Sequence, residues 1–146
     1  MSSLEGAAST LVAVALVLEP VLEDGAFDLE PAHVVGTGGA IGAALRHGVY
    51  QRLSNDRYPW PTLVVNVVGS FVFGAAVFAG ASESTLRSLG TGICGAFTTF
   101  SSFSVETVQL YERGDRTLAV ANALGNLALS LAAIGLARVL VAAGPF

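Results

Sequence analysis

Three stretches of at least 18 residues carry no charged residue: Tyr58 to Ser82, Ser88 to Val105 and Thr117 to Ala137. Nothing else in the sequence limits the fold so severely. A helix needs about 20 predominantly apolar residues to cross a bilayer, and in lipid every backbone polar group must find its partner within the protein. Charged residues make up only 12% of the 146 positions and hydrophobic ones 53%, against about 25% and 45–50% in soluble domains. The expected class is an all-α membrane protein.

The middle window is poor material for an unbroken helix. It holds Gly90, Gly92 and Gly95 and then runs into Thr98, Thr99, Ser101, Ser102 and Ser104. Glycine costs about 1 kcal/mol against alanine inside a helix, and threonine loses rotamer freedom there. Irregular backbone at membrane depth survives only when buried in protein or lining a polar cavity. A break here would aim amides and carbonyls inward, and carbonyls can coordinate a cation. Phe100 and Phe103, three apart, share a face of the helix that resumes. The combination points to ion handling.

Three motifs in order add a resemblance. Gly92-Ile93-Cys94-Gly95-Ala96-Phe97-Thr98-Thr99-Phe100-Ser101-Ser102-Phe103-Ser104-Val105-Glu106 resembles the third-helix signature of the fluoride channel family known as Fluc or CrcB. Gly38-Gly39-Ala40-Ile41-Gly42-Ala43-Ala44-Leu45-Arg46 resembles that family's first helix, and Thr62-Leu63-Val64-Val65-Asn66-Val67-Val68-Gly69-Ser70-Phe71 its second. The resemblance covers residues 33 to 146. It implies four transmembrane helices with a break in the third, assembled as an antiparallel, dual-topology dimer with two pores.

Taken in order, residues 1–30 form an extension that reads as interfacial or disordered, with a fifth span as the competing reading; residues 31–146 form the channel domain. The first span covers Pro31 to Leu53, its Gly36, Gly38, Gly39 and Gly42 giving a small-residue face for close helix packing. Arg46 near its end either snorkels to the interface or raises the anion concentration in a vestibule. Pro59-Trp60-Pro61 starts the second span with an aromatic anchor. Asn66 inside it serves either as glue between helices or as an N–H donor to an anion. Glu106 is either a solvated carboxylate at a helix end or a vestibule group. Asn122, Asn126 and Ser130 recur at every fourth residue of the last span. Such a polar stripe must face protein or water; helix glue and a polar track are its two readings.

The resemblance implies residue roles. Asn66, Phe100 and Phe103 match the family's fluoride-lining asparagine and phenylalanine pair. Ser101, Ser102, Asn122, Asn126, Ser130 and Glu106 complete the expected pore, with Arg46 at the vestibule. Gly95 and Thr98 match the backbone carbonyls that hold a central sodium ion at the dimer interface. The implied activity is passive export of cytoplasmic fluoride across the plasma membrane, which confers fluoride resistance. A phenylalanine edge carries positive quadrupole density and faces an anion without a formal charge. All seven basic residues are arginine, so no lysine lines a span; an ion must also be able to leave its site.

Other functions fare worse. Eleven acids against seven bases give a net charge of −4 and no basic footprint for nucleic acid. His33 and His47 lie near the ends of the first helix, and no catalytic His/Cys/Asp cluster is apparent, so no enzyme is expected. A single cysteine, Cys94, excludes an internal disulfide. The rival reading, a small dual-topology proton-coupled exporter, would want a carboxylate deep in a span. Glu106 lies near the end of its segment.

Overall fold

The computed structural model describes residues 29–53 and 57–144. The chain divides into two units, Met1–Ala32 and His33–Phe146. Of the first unit only the residues that open a helix are described, so the expectations placed on residues 1–30 lie, but for the last two, outside the described residues.

All regular structure among the described residues is helical. Helix α1 (Leu29–Leu53) is followed by α2 (Trp60–Phe78) and a short α3 (Glu83–Thr85); a π-helical stretch (Leu86–Cys94) then runs into α4 (Gly95–Phe97), and α5 (Phe100–Glu112) and α6 (Arg116–Ala143) close the chain. Pro61 sits in the first turn of α2, where a missing N–H costs nothing. Gly80, at φ +71°, and Gly114, at φ +89°, form the turns after α2 and α5. These left-handed conformations favour glycine. Ser82 caps α3, accepting from the Thr85 N–H at 3.3 Å.

Two helices, α2 and α6, are long and apolar enough to cross a membrane by length and composition among the described residues. They pack side by side in the same chain direction. Asn66 meets Asn126, sixty positions on, and two turns further Gly74 lies against Ile134 and Ala137. One turn further, where the shorter α2 ends, the Arg138 guanidinium stands 6.0 Å from the centre of the Phe78 ring. The centre of this pair is polar as well as apolar: Val65, Ala133 and Ala137 are buried, but so are Thr62, Asn122 and Asn126. Leu124, Leu127, Leu131 and Val139 of α6 are exposed. Apolar outside and hydrogen-bonded polar inside is the distribution a lipid solvent demands.

The charge-free window from Ser88 to Val105 holds three helical pieces. The π-helix widens the backbone over its glycines, a rare form found mostly at functional sites. Close approach fixes two of the glycines around it. A Cβ on Gly42 would collide with the Ile93 carbonyl, and one on Gly69 with the Thr98 methyl. Between α4 and α5, Thr98 (φ −79°, ψ 162°) and Thr99 (φ −152°, ψ 117°) are extended.

Candidate functional site

The two extended threonines set the site's geometry. Thr99 caps α5: its Oγ1 accepts from the Ser102 N–H at 3.1 Å. A helix cap of this kind is worth about 1 kcal/mol. The Thr99 peptide groups cannot bond within a helix, and a side chain takes them up. Its N–H donates to Asn66 Oδ1 at 2.8 Å, and its carbonyl accepts from Asn66 Nδ2 at 3.2 Å. Asn66 therefore acts as a substitute peptide unit, holding α2 against the start of α5.

The bonding continues through the last helix. Asn66 Nδ2 also donates to Asn126 Oδ1 at 3.0 Å. Asn126 Nδ2 donates to both the carbonyl and Oδ1 of Asn122, each at 3.0 Å. Asn122 Nδ2 donates to Thr107 Oγ1 at 2.8 Å, and Thr107 donates to the Phe103 carbonyl at 2.7 Å. The chain of donors starts at Thr99, the cap of α5, and returns to that helix at Thr107, whose bond to the Phe103 carbonyl spans one turn. Helix glue and polar stripe are thus the same residues here.

A cavity of about 310 Å3 opens where this network meets the Phe pair. Of the expected pore residues, Asn66, Phe100, Phe103, Asn126 and Ser130 line it, and so does Thr98. The Phe100 and Phe103 rings lie 5.6 Å apart, tilted by 48°. Phe100 is 79% exposed. Ser101, Ser102, Asn122 and Glu106 do not line this cavity. The Ser101 and Ser102 hydroxyls gather instead on Thr99 Oγ1, each at 3.2 Å. Asn122 is fully buried inside the network.

A second cavity, of about 300 Å3, has Gly95, Thr98, Cys94 and Ser70 in its wall. The two backbone carbonyls expected to hold a sodium ion fit that chemistry. In a continuous helix the Thr99 N–H would bond the Gly95 carbonyl, but here it goes to Asn66. Neutral oxygens of this kind suit a hard alkali cation, and no cluster of three His, Cys, Asp or Glu exists among the described residues to hold a transition metal. The Thr98 carbonyl is shared: Arg46 Nη1 donates to it at 3.4 Å. Arg46 thus reaches the extended backbone at Thr98.

Glu106 stands in a separate hydrogen-bonded line. The Thr62 hydroxyl donates to Glu106 Oε1 at 2.8 Å, so the Tyr50 hydroxyl, 2.6 Å from Thr62 Oγ1, is the donor to Thr62. Glu106 Oε2 is buried with no hydrogen-bond partner among the described residues. The solvated helix-end reading of Glu106 does not describe this environment.

Sequence reasoning missed Tyr50, Thr62, Ser70, Thr99 and Thr107. A signal for two of them existed. Thr62, Asn66 and Ser70 repeat on α2 the four-residue spacing of Asn122, Asn126 and Ser130 on α6. Of the levels these two stripes define, one is a hydrogen-bonded rung, Asn66 with Asn126.

The chain is similar to known proteins over most of its length. A family profile described as "CrcB-like protein, Camphor Resistance (CrcB)" matches residues 33–138. A protein of Haloarcula marismortui named "Fluoride-specific ion channel FluC 2" is 52% identical over 109 residues, 75% of this chain and 92% of that one. "Fluoride-specific ion channel FluC 1" of Halobacterium salinarum is 51% identical over 112 residues, 77% and 94% of the two chains. The protein of the same name from Mycobacterium bovis is 40% identical over 121 residues, 78% and 92% of the two chains.

Proposed function

The chain belongs to the CrcB family, and from that membership we propose that it is a fluoride-selective passive ion channel. It is a membrane protein and a channel, not an enzyme. The proton-coupled exporter is not favoured.

The observation that carries the reading is the 310 Å3 cavity, in which two aromatic rings face a hydrogen-bonded polar wall with no formal charge among its lining residues. Fluoride holds its water tightly, so a pore must replace hydration with N–H and O–H donors and with ring edges. A site without full charges binds the anion firmly enough to dehydrate it and loosely enough to release it. Asn66 contributes chiefly by fixing this wall, since both of its N–H groups are taken by Thr99 and Asn126.

The finer reading follows the family. Four spans cross the plasma membrane: α1, α2, the interrupted run from α3 through α5, and α6. Two copies pair antiparallel, so that the exposed Phe100 of each is covered and two pores form. The carbonyls of Gly95 and Thr98 would hold a sodium ion, whose positive charge would offset the partial negative charge of those oxygens. The cell gains fluoride resistance, because HF enters as a neutral molecule, dissociates, and leaves as the anion through the channel.

Reconstitution into liposomes tests the proposal. Fluoride efflux, read with a fluoride electrode, should be fast, and chloride efflux under the same gradient should be near background. Equal efflux of the two anions would reject a fluoride-selective channel.

A further inference from the structure

Which groups in the cavity are free to donate to fluoride is decided by the hydrogen bonds already made there. Thr98 gives its hydroxyl proton to the Cys94 carbonyl at 2.9 Å, and Thr99 gives its own to the Ser102 hydroxyl at 3.2 Å. Asn66 commits one N–H to Thr99 and the other to Asn126. Asn126 commits both of its N–H groups to Asn122. An anion taking a donor from any of these four must first break a bond inside the protein. Two hydroxyls of the cavity wall remain, those of Ser70 and Ser130. Neither has a hydrogen-bond partner among the described residues, and neither oxygen is sealed from the cavity.

Their positions are set by the helix register. Asn66 and Asn126 form one rung between α2 and α6, sixty positions apart. Gly74 against Ile134 forms another, two turns on. Ser70 and Ser130 occupy the intermediate level, one turn from the amide rung, on the faces that line the cavity. We propose that Ser70 is a direct fluoride donor, paired across the cavity with Ser130, and that the amide rung beneath them is scaffold. This assignment rests on the fluoride-channel reading and extends it to a residue on α2. It also gives a chemical reason for a hydroxyl at this point: serine donates one proton to an anion without adding charge, and its rotor turns as the ion passes.

The test compares Ser70→Thr with Ser70→Val. Both add the same branching and nearly the same volume, and they differ in whether a hydroxyl is present. Each variant is purified, checked for the wild-type elution profile, and reconstituted for fluoride efflux over a range of sodium fluoride concentrations. A hydrogen bond to a charged group is worth enough that the half-saturating fluoride concentration of Ser70→Val should exceed that of Ser70→Thr by about tenfold or more. Ser70→Ala should fall with Ser70→Val, and Ser130→Ala should show a similar shift. Indistinguishable Thr and Val variants would overturn the assignment, whether both resemble wild type or both are impaired alike. A wild-type protein that moves no fluoride would reject the channel reading instead, so the two failures are told apart by the wild-type control.

Discussion

The side-chain amide of Asn66 pairs with both peptide groups of Thr99, accepting from its N–H at 2.8 Å and donating to its carbonyl at 3.2 Å. One side chain thereby stands where a neighbouring turn of helix would otherwise be. It lets the backbone stay extended at Thr98 and Thr99 without leaving orphaned polar groups. The Thr99 N–H that would bond the Gly95 carbonyl in a continuous helix is taken up by that pairing, and Asn66 and Thr99 both line the cavity.

Removing the pairing should therefore be expensive. Asn66→Ala leaves the Thr99 N–H and carbonyl and the Asn126 Oδ1 without their partner, and each unsatisfied buried group costs about 1–3 kcal/mol. A loss of several kcal/mol is expected. Asn66→Asp should also destabilise, because a carboxylate cannot donate to Thr99 or Asn126. Thermal unfolding in detergent, followed by loss of the native elution peak, measures both. A melting temperature unchanged in Asn66→Ala would mean the amide carries no weight in the fold.

The aromatic pair is tested by shape. Phe100→Ile or Phe103→Ile keeps an apolar side chain of comparable size and deletes the ring quadrupole. Fluoride efflux should drop by at least about tenfold with the elution profile intact, on the order of the 1.4 kcal/mol that a factor of ten represents. Unchanged efflux would assign the rings to packing alone.

Arg46 offers a prediction about the cation. Its guanidinium donates to the Thr98 carbonyl at 3.4 Å, the oxygen proposed to face sodium. Two cations sharing one carbonyl repel each other, by about 1 kcal/mol at 4 Å in water and more in a protein. Arg46→Gln keeps a donor and removes the charge. The sodium concentration giving half-maximal fluoride efflux should then fall by about fivefold or more. Efflux assays in an organic-cation buffer titrated with sodium measure it. An unchanged or higher sodium requirement would show that the arginine does not oppose the ion.

Much of this is legible in the sequence itself. Length and absence of charge marked α2 and α6, because a span in lipid has few other solutions. The glycines and hydroxyls from Gly90 to Ser104 marked where regular helix is hard to sustain. Phe100 and Phe103 were legible as a pair because helical spacing puts them on one face. The partners were not. Nothing local to Thr62 announces that it donates to Glu106, forty-four residues away, or that Tyr50 donates to Thr62. Such bonds are set by tertiary packing. The commitment of the Asn66 donors was hidden for the same reason: an amide's chemistry is readable from sequence, but whether its protons are already taken is a property of the fold. Ser70 lies one turn from Asn66 in the sequence, but that it stands level with Ser130 follows only from the parallel register of α2 and α6.

The last prediction concerns assembly. Because α2 and α6 run in the same direction, the proposed four-span topology would put their first turns on one side of the membrane and their last turns on the other. On the first side stand Arg52 and Arg57 in or beside the α1–α2 connection and Arg113 and Arg116 at the turn before α6. The other side has Arg87, paired with Glu83 at 2.6 Å, and Arg138, over Phe78. Arginine excess favours the cytoplasm and acids contribute little, so four against two is a bias, but a small one. A chain that must insert both ways to pair antiparallel with itself needs a weak bias of this kind. A strong one would suit half of a two-chain assembly. Expressed without any paralogue, the chain should purify as a dimer, and cysteine-specific labels placed on one loop should be reachable from both faces of the membrane. A monomer, labelling from one face alone, or a dimer that conducts only after a second chain is added would overturn the homodimer.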